Sequence, residues 1–337
     1  MKSDLLREDG TPAFGLYTGE IADVTLNEYP KLSSFLKPIR SKKWRFSGIF
    51  SPEIVCGVAV VDAGYVGSCF AYAFDMETRQ LSEYRATSPF SLASRISDNT
   101  LVGEAVYKHG LGQVALKYGL EDGKYSNIEV MAPTADGQLE INARMDDTKE
   151  GSVPHQVVFA TPKGSFAFTH KTAGMTVSGQ VKVGDKVYDL DSATTFGGVD
   201  HTAGYHDYRW EWRWASLGGL SKCGKRVGLN LVDPIHHPTI QENALWIDGE
   251  RFPLGRAEFI FDRQSILDPW EVSTTSGIVK LHFKPLGQRS ETLNAGIIKS
   301  QFAQPVGLYS GEIHLPDREP IVLENIPGVV ENHDAKW

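Results

Sequence analysis

Short runs in which apolar and polar residues alternate recur along most of the chain, separated by glycine-containing turns. Examples are QVALKYG and QLEINARMD before residue 150, and RAEFIFD and VKLHFKP after it. Successive side chains of a strand point to opposite faces, so this alternation predicts strands with one buried face. Strands at this spacing are typical of an antiparallel sandwich or barrel. No stretch has sustained helical periodicity, and we therefore predict an all-β protein.

The alternating pattern continues on both sides of Gly184-Asp185. The segment FGLYTGEI at 14–21 resembles VGLYSGEI at 306–313, which indicates two related β units with an equivalent strand in each. A length of 337 residues also suggests more than one domain. We predict an N-terminal β domain at 1–184 and a C-terminal β domain at 185–337, formed by two antiparallel barrels or sheets packed side by side.

The densest set of chemically active side chains lies in the run GGVDHTAGYHDYRWEWRW at 197–214. Trp210, Trp212 and Trp214 recur at a spacing of two, so a strand here would present all three indoles on one face. The glycines upstream allow tight turns. The run predicts an aromatic wall next to a loop that carries Asp200, His201, Tyr205, His206 and Asp207. We place this pocket in the C-terminal domain.

A carboxyl group against indole rings loses hydration and can act as a proton donor. The faces of aromatic rings also stabilise a nearby cation. Together these features suit proton-initiated hydration, cyclisation or isomerisation of an alkene, with either Asp200 or Asp207 as the acid. The alternative is that the two aspartates accept backbone hydrogen bonds in a turn and that the tryptophans belong to the core.

Three further residues are candidate ligand contacts. Arg209 would bind a carboxylate of a ligand, unless it pairs with a local acid such as Glu211. Asn230 lies among apolar strand residues and needs a polar partner, which is either a ligand or the backbone. Trp246 lies in the middle of a later predicted strand.

Histidine and aspartate side chains are also suitable metal ligands. The candidates are His201, His206, Asp207, His236 and His237. They lack the spacing of known metal motifs, so we predict no metal and no cofactor.

Composition narrows the range of partners. The net charge is -8, and the basic run SKKWR at 41–45 is too short for a nucleic-acid site. Cys56, Cys69 and Cys223 are too few for a disulfide framework, which indicates reduced thiols. No apolar run approaches the ~20 residues of a membrane span, and the N-terminus has acids where a signal peptide needs an apolar core. We predict a cytoplasmic protein and leave its oligomeric state open.

Several motifs resemble those of known families. VDHTAGYHDYRWEWRWASLGG, ENALWIDGERFPLGRAEFIFD and QPVGLYSGEI, with LLREDGTPAFGLYTGE near the start, resemble the bacterial domain-of-unknown-function family 2804. More distantly, GYHDYRW at 204–210 resembles the GYHDHNWG-type signature of carotenoid 1,2-hydratases, tocopherol cyclases and related lipocalin-like enzymes. That resemblance implies two lipocalin-like barrels, no cofactor, and roles for Tyr205 as the tyrosine and Asp207 as the acid. The chain departs from the signature at Tyr208 and Arg209.

The leading hypothesis is a cofactor-independent acid-catalysed hydratase, cyclase or isomerase that acts on an unsaturated lipophilic molecule. His206 joins Asp200, Asp207 and Tyr205 as a candidate catalytic residue. The predicted ligand contacts are His201, Arg209, Trp210, Trp212, Trp214, Asn230 and Trp246. Two alternatives remain open, namely a lipocalin-like protein that binds a lipophilic ligand without turnover and a carbohydrate-active or carbohydrate-binding protein.

Overall fold

The computed structural model describes residues 3–148, 151–234, 240–295 and 298–336. Strands account for 63% of the structure and helices for 4%, and two antiparallel sheets are curled, one nearly into a barrel and the other into a half-barrel. The predicted all-β architecture of two lipocalin-like sheets side by side is therefore confirmed. Within those four ranges no helix has the length and apolar character that a membrane crossing requires.

The first sheet contains 14 of the described strands. They are β1 (Gly15–Tyr17), β2 (Lys42–Phe50), β3 (Ile54–Asp62), β4 (Val66–Asp75), β5 (Leu81–Pro89), β6 (Ser94–Ile96), β7 (Gly103–His109), β8 (Gly112–Gly119), β9 (Tyr125–Thr134), β10 (Gly137–Asp146), β11 (His155–Ala160), β12 (Phe166–Val183), β13 (Lys186–Leu190) and β14 (Phe196–Gly204). The main order is β5-β4-β3-β2-β14-β12-β10-β9-β8-β7-β6, while β11 and β13 pair with β12, and β1 pairs with β11. Two short helices, α1 (Leu36–Arg40) and α2 (Leu120–Gly123), and a 3-10 helix (Leu26–Glu28) lie in the connections.

The second sheet contains nine of the described strands in the order β18-β17-β16-β15-β23-β22-β21-β20-β19. They are β15 (Arg209–Leu220), β16 (Arg226–Asp233), β17 (Ala244–Ile247), β18 (Glu250–Pro253), β19 (Ala257–Ile260), β20 (Trp270–Thr274), β21 (Val279–Ala295), β22 (Ile298–Ile313) and β23 (Ile321–Lys336). The C-terminal strand β23 lies in the middle of this sheet, between β15 and β22.

The chain passes from the first sheet to the second between Gly204 and Arg209. This point lies downstream of the predicted domain boundary at 184/185, because β14 pairs with β2 on one side and β12 on the other. The two similar segments at 14–21 and 306–313 do not occupy equivalent strands. The first contributes the short β1, which pairs only with β11, and the second lies in β22 inside the second sheet.

Alternation along β14 divides its side chains between two environments. Val199 belongs to the apolar core enclosed by the first sheet, and His201 lies on that same face. Asp200 points the other way, toward the second sheet, where it lines a cavity with Trp212 and Trp214. Neighbouring residues of β14 therefore lie in different places, one in the core of the first sheet and the next between the two sheets.

A separate apolar cluster joins the two sheets. From the first sheet it includes Phe46, Phe50, Val55, Ala59, Tyr72 and Phe74, and from the second Trp214, Val232, Val306 and Val329. The backbones also approach closely at one point, where a Cβ on Gly228 of β16 would lie 2.3 Å from the carbonyl carbon of Ala173 in β12. The sheets are thus in direct contact beside a space lined by aromatic residues.

Candidate active site

A cavity of about 430 Å³ lies between the two sheets. Trp44, Phe46 and Phe70 line it from the first sheet, and Trp212, Trp214 and Phe302 line it from the second. The predicted pocket was assigned to the C-terminal domain alone, whereas its walls come from both sheets. A mainly apolar cavity of this size matches the pockets that bind small molecules.

The exposure of the lining residues distinguishes a mouth from an inner end. Leu293 is 45% exposed and Lys299 is also exposed, and both lie near the paired ends of β21 and β22. Arg289 and Glu331, nearer the middle of their strands, are only 1% and 6% exposed. The cavity therefore runs from these strand ends to a buried inner end.

Glu331 of β23 places a carboxyl group in the cavity wall. Its Oε1 accepts a hydrogen bond of 2.6 Å from the Trp212 indole N–H, and its Oε2 accepts one of 2.8 Å from the Gln304 amide. Burial raises the pKa of Glu331 to about 7, with nearby Asp200 adding to the rise, although the two hydrogen bonds act in the opposite direction. Near neutral pH this carboxyl group is therefore present in both its protonated and ionised forms.

The orientation of Glu331 is fixed by a chain of hydrogen bonds that crosses from one sheet to the other. The Tyr72 hydroxyl of β4 donates to Gln304 Oε1 at 2.7 Å, which leaves the Gln304 amide N–H to donate to Glu331. Burial raises the pKa of Tyr72, so this phenol remains a donor. An acid held in this way keeps a defined position relative to anything bound in the cavity.

His333 lies two residues after Glu331 and lines the same cavity. Its ring is 4.2 Å from the Trp212 ring and 5.1 Å from that of Phe302, measured between centroids. Its Nε2 is 2.7 Å from Ser300 Oγ. Burial lowers the pKa of His333 to about 3, so the imidazole is neutral and offers a polar but uncharged group inside the cavity.

Arg289 provides a buried cation at the inner end. Its Nε donates to Glu83 at 2.8 Å and its Nη2 donates to Glu291 at 2.7 Å. The guanidinium lies 4.0 Å from the centroid of the Phe70 ring. These two ion pairs and the cation–π contact hold the guanidinium in place beside Glu331.

Asp200, one of the two predicted acids, also lines the cavity, but its carboxylate is engaged elsewhere. Its Oδ2 is 2.7 Å from the ammonium of Lys171, which also pairs with Glu242 at 3.2 Å. Burial opposes the ammonium, yet attraction from Asp200 and Glu242 outweighs it and raises the pKa of Lys171. Asp200 therefore balances a buried positive charge, and Glu331 is the carboxyl group better placed to transfer a proton.

Two of the three predicted tryptophans line the cavity together. Trp212 stacks parallel to Trp44 at 6.1 Å, and Trp214 donates to Asn230 Oδ1 at 2.7 Å. Asn230 in turn donates to the Glu242 carbonyl at 2.7 Å, so it positions Trp214 rather than contacting the cavity itself. Trp210 lines a much smaller adjoining pocket of about 40 Å³.

The other predicted catalytic residues are not among those that line the cavity between the sheets. Asp207 is buried, and its two oxygens accept hydrogen bonds of 3.1 Å each from the Thr161 hydroxyl and the Lys163 backbone N–H. Tyr205 is fully buried, and its hydroxyl donates to the Leu26 carbonyl at 2.7 Å. These contacts tie turns together, which is the structural alternative considered for Asp207.

His206 packs against Trp44 and Trp210, with ring centroids 5.0 and 5.1 Å away, and lines the small adjoining pocket.

The remaining predicted ligand contacts are dispersed. His201 lies on the opposite face of β14 from Asp200, and burial lowers its pKa well below the usual value. The Trp246 indole donates to the Val153 carbonyl at 2.7 Å in the core. Arg209 lines a shallower pocket at the edge of the second sheet. None of these three is among the residues that line the cavity between the sheets.

Several residues that place polar or charged groups in or beside the cavity were not predicted from the sequence. Glu331 and His333 follow an apolar pair in VVENHDAK and alternate with Asn332, a pattern that places both on one strand face. That signal was present but weak, because short runs of this kind also occur on solvated strands. Lys171 carries no comparable signal, since its acidic partners Asp200 and Glu242 lie far away in the sequence. Arg289 has Glu291 on the same strand, but its other partner, Glu83, comes from the first sheet.

The described residues contain no group of three or more His, Cys, Asp or Glu placed to hold a metal ion. His236 and His237, two of the candidate ligands, lie outside the described residues.

The fold is shared with solved structures of very different sequence. Kievitone hydratase from Nectria haematococca is similar over 98% of this chain and 97% of its own, with a TM-score of 0.55 and 13% identity. A Nitrosomonas europaea protein described as a candidate AttH is similar over 87% of this chain and 92% of its own, with a TM-score of 0.51 and 10% identity. The resemblance to hydratases is thus confirmed at the level of the fold. No curated protein matches the chain. The family model described as "Domain of unknown function (DUF2804)" matches residues 1–337, and the chain therefore belongs to that family.

Proposed function

We propose that the protein is a cofactor-independent enzyme that protonates an unsaturated lipophilic molecule in the cavity between the sheets, with Glu331 as the acid. The observation that carries this proposal is a buried carboxyl group whose pKa is raised to about 7, held in the wall of a mainly apolar cavity. Such an acid is protonated often enough near neutral pH to deliver its proton, and its conjugate base is strong enough to recover one.

The chemistry follows from the residues around the acid. Transfer of the Glu331 proton to one carbon of an alkene uses the π electrons to form the new C–H bond and leaves a cation on the neighbouring carbon. The faces of Trp44, Trp212 and Phe302 line the space beside that carbon and stabilise the charge. Addition of water, attack by an internal hydroxyl group or loss of a neighbouring proton then completes hydration, cyclisation or isomerisation. In each case the Glu331 carboxylate takes up the proton that is released.

The fold supports the proposed class of reaction but not the choice of acid. Kievitone hydratase has a similar fold along almost its entire length. Of the two acids predicted from the sequence, Asp200 pairs with Lys171 and Asp207 accepts hydrogen bonds in a turn, so the proposal assigns proton transfer to Glu331 instead.

The proposal is tested by replacing the acid. Glu331→Gln preserves the shape of the side chain and keeps one oxygen that can accept one of the two hydrogen bonds, but it removes the transferable proton. Turnover should therefore fall by roughly a hundredfold or more while ligand binding persists. The matched control is Glu324→Gln on the same strand, where the side chain is exposed and pairs with Lys222 at the surface. Unsaturated lipids and terpenoids in H₂¹⁸O and in D₂O provide the candidate substrates, and mass spectrometry reads oxygen and deuterium incorporation.

The rate of the wild-type protein should fall as pH rises through about 7, since the proton donor is lost there. Quenching of tryptophan fluorescence by an apolar probe reports binding independently, because Trp212 and Trp214 line the cavity. Binding of every lipophile without isotope incorporation would make the protein a carrier. Turnover that survives in Glu331→Gln would place the acid at another residue.

A further inference from the structure

Several large apolar side chains are exposed near one end of the first sheet. Phe35, Phe90 and Leu92 are 78%, 75% and 80% exposed, and Ile39 is 43% exposed. Single exposed apolar residues are common on protein surfaces, but a group of them in neighbouring loops indicates an interaction site.

The two loops that carry these side chains meet at the turn between β3 and β4. A Cβ on Gly64 would lie 1.9 Å from the Pro38 carbonyl oxygen and 3.3 Å from the Cα of Ile39. On the other side, the Phe90 backbone N–H donates to the Tyr65 carbonyl at 2.8 Å. The segments 35–40 and 90–92 therefore flank one turn. We call these two segments, with the turn 63–65, the apolar rim.

The apolar rim adjoins the mouth of the cavity. Ala63, Tyr65 and Val66 all line the cavity, together with the exposed Leu293 and Lys299 from the second sheet. Lys42 connects two parts of the rim, the segment 35–40 and the turn 63–65, because its ammonium donates to the carbonyls of Ile39 and Ala63 at 2.9 Å each. The exposed apolar side chains of the rim therefore lie beside a turn whose residues form part of the cavity wall.

The charge of the rim is opposite to that of the whole protein. The chain carries a net charge of -8, yet residues 29–52 contain no Asp or Glu. Lys31 and Arg40 are exposed in this stretch, and Lys37 is half-buried beside them. Two nearby acids are already engaged, because Asp98 pairs with Lys43, and Asp62 accepts hydrogen bonds from the Ser91 hydroxyl and the Gly64 backbone.

We propose that the apolar rim docks on an anionic lipid bilayer surface and holds the cavity mouth against it. Phe35, Phe90 and Leu92 would enter the boundary between headgroups and acyl chains, where apolar area is buried, while Lys31 and Arg40 attract the phosphate groups. Docking in this way lets a lipophilic molecule pass from the bilayer into the cavity without crossing water. The docking itself does not depend on the proposed function, since it requires neither Glu331 nor turnover.

The test is co-sedimentation of the full chain with vesicles, without any substrate. Wild-type protein should sediment with vesicles of phosphatidylcholine and phosphatidylglycerol, bind less at high salt, and bind pure phosphatidylcholine vesicles more weakly. The triple variant Phe35→Ser, Phe90→Ser, Leu92→Ser should bind the anionic vesicles at least roughly tenfold more weakly. Lys31→Glu combined with Arg40→Glu should remove the preference for anionic lipid.

The matched control is Ile260→Ser in β19 of the second sheet, which removes an apolar side chain that is 64% exposed. It should bind like the wild type. Circular dichroism and the melting temperature check that each variant is folded, which is expected because the substituted side chains are at the surface. Absence of vesicle binding by the wild-type protein, or equal loss in the control, would overturn the proposal. It would also be overturned if the wild type were a dimer that the triple variant dissociates, because the rim would then bind a second copy of the chain.

Discussion

At the scale of single residues, the cavity depends on a few buried ionisable groups whose states are set by their neighbours. Lys171 is kept charged by two acids, whereas burial and the nearby positive charge of Arg289 lower the pKa of His333 and keep it neutral. Glu331 lies between these extremes, since burial favours its protonated form and two hydrogen bonds favour its ionised form. That balance is what places its pKa near neutral pH.

The same balance predicts how stability changes with pH. The folded-state pKa of Glu331 is about 7, above the ordinary value of 4.5 expected in the unfolded chain. Between these values the folded protein binds more protons, so its contribution to stability is complete below about 4.5 and is lost as pH rises through about 7.

The free energy of unfolding, from urea titrations between pH 5 and pH 8, should therefore fall more steeply in the wild type than in Glu331→Gln. We expect the difference to be on the order of 1 kcal/mol per pH unit. Glu324→Gln serves as the control and should follow the wild type. Parallel curves for wild type and Glu331→Gln would show that Glu331 titrates normally.

At the scale of elements, strand periodicity determines which face of a sheet a side chain occupies. Close contact between strands of different sheets determines how near the two sheets come to each other. Alternation on β15 and β23 places Trp212, Trp214, Glu331 and His333 on the face toward the first sheet. The crossing of β12 and β16 then sets the separation of the sheets. At that crossing Gly174 adopts a φ of +75° and faces Gly228 across the interface.

Gly228→Ala should consequently destabilise the protein, because the added methyl group would overlap the β12 backbone. Overpacking of this kind costs about 1–3 kcal/mol, which calorimetry or thermal melting will detect. The matched control is Gly255→Ala, where a Cβ would meet no atom within 4 Å and φ is not in the left-handed region. A Gly228→Ala protein as stable as this control would show that the sheets can move apart freely.

At the scale of the whole molecule, the two sheets form one cavity and share an apolar cluster, so neither wall is complete without the other. The position of β14 determines how much of the chain the first sheet needs, because β14 follows residue 185 but pairs with β2 and β12 in that sheet.

A fragment of residues 1–184 should therefore fail to fold cooperatively, because β2 and β12 would lose the strand that joins them. A fragment of residues 1–207 retains β14 and should recover β structure by circular dichroism, with a measurable melting transition. Solubility and hydrogen-exchange protection of β12 provide a second comparison between the fragments. A cooperative melt of the 1–184 fragment would instead support the boundary predicted from the sequence.

The sequence by itself determined the all-β class and the antiparallel pairing, because both follow from local alternation and turn residues. It also determined that Trp212 and Trp214 share a strand face, since spacing along one strand is a local property. The same short segment carries Asp200, which lines the cavity with those two indoles.

Only the tertiary structure decided which acid occupies the cavity and where the cavity lies. Glu331 follows Trp212 by more than a hundred residues, and the two meet because β23 inserts beside β15. The partner of Asp200 is likewise Lys171, from another strand, and it turns a candidate acid into a counter-charge. The pKa of a carboxyl group depends on burial and on charges brought near it by folding, and none of these is encoded within a single stretch of chain.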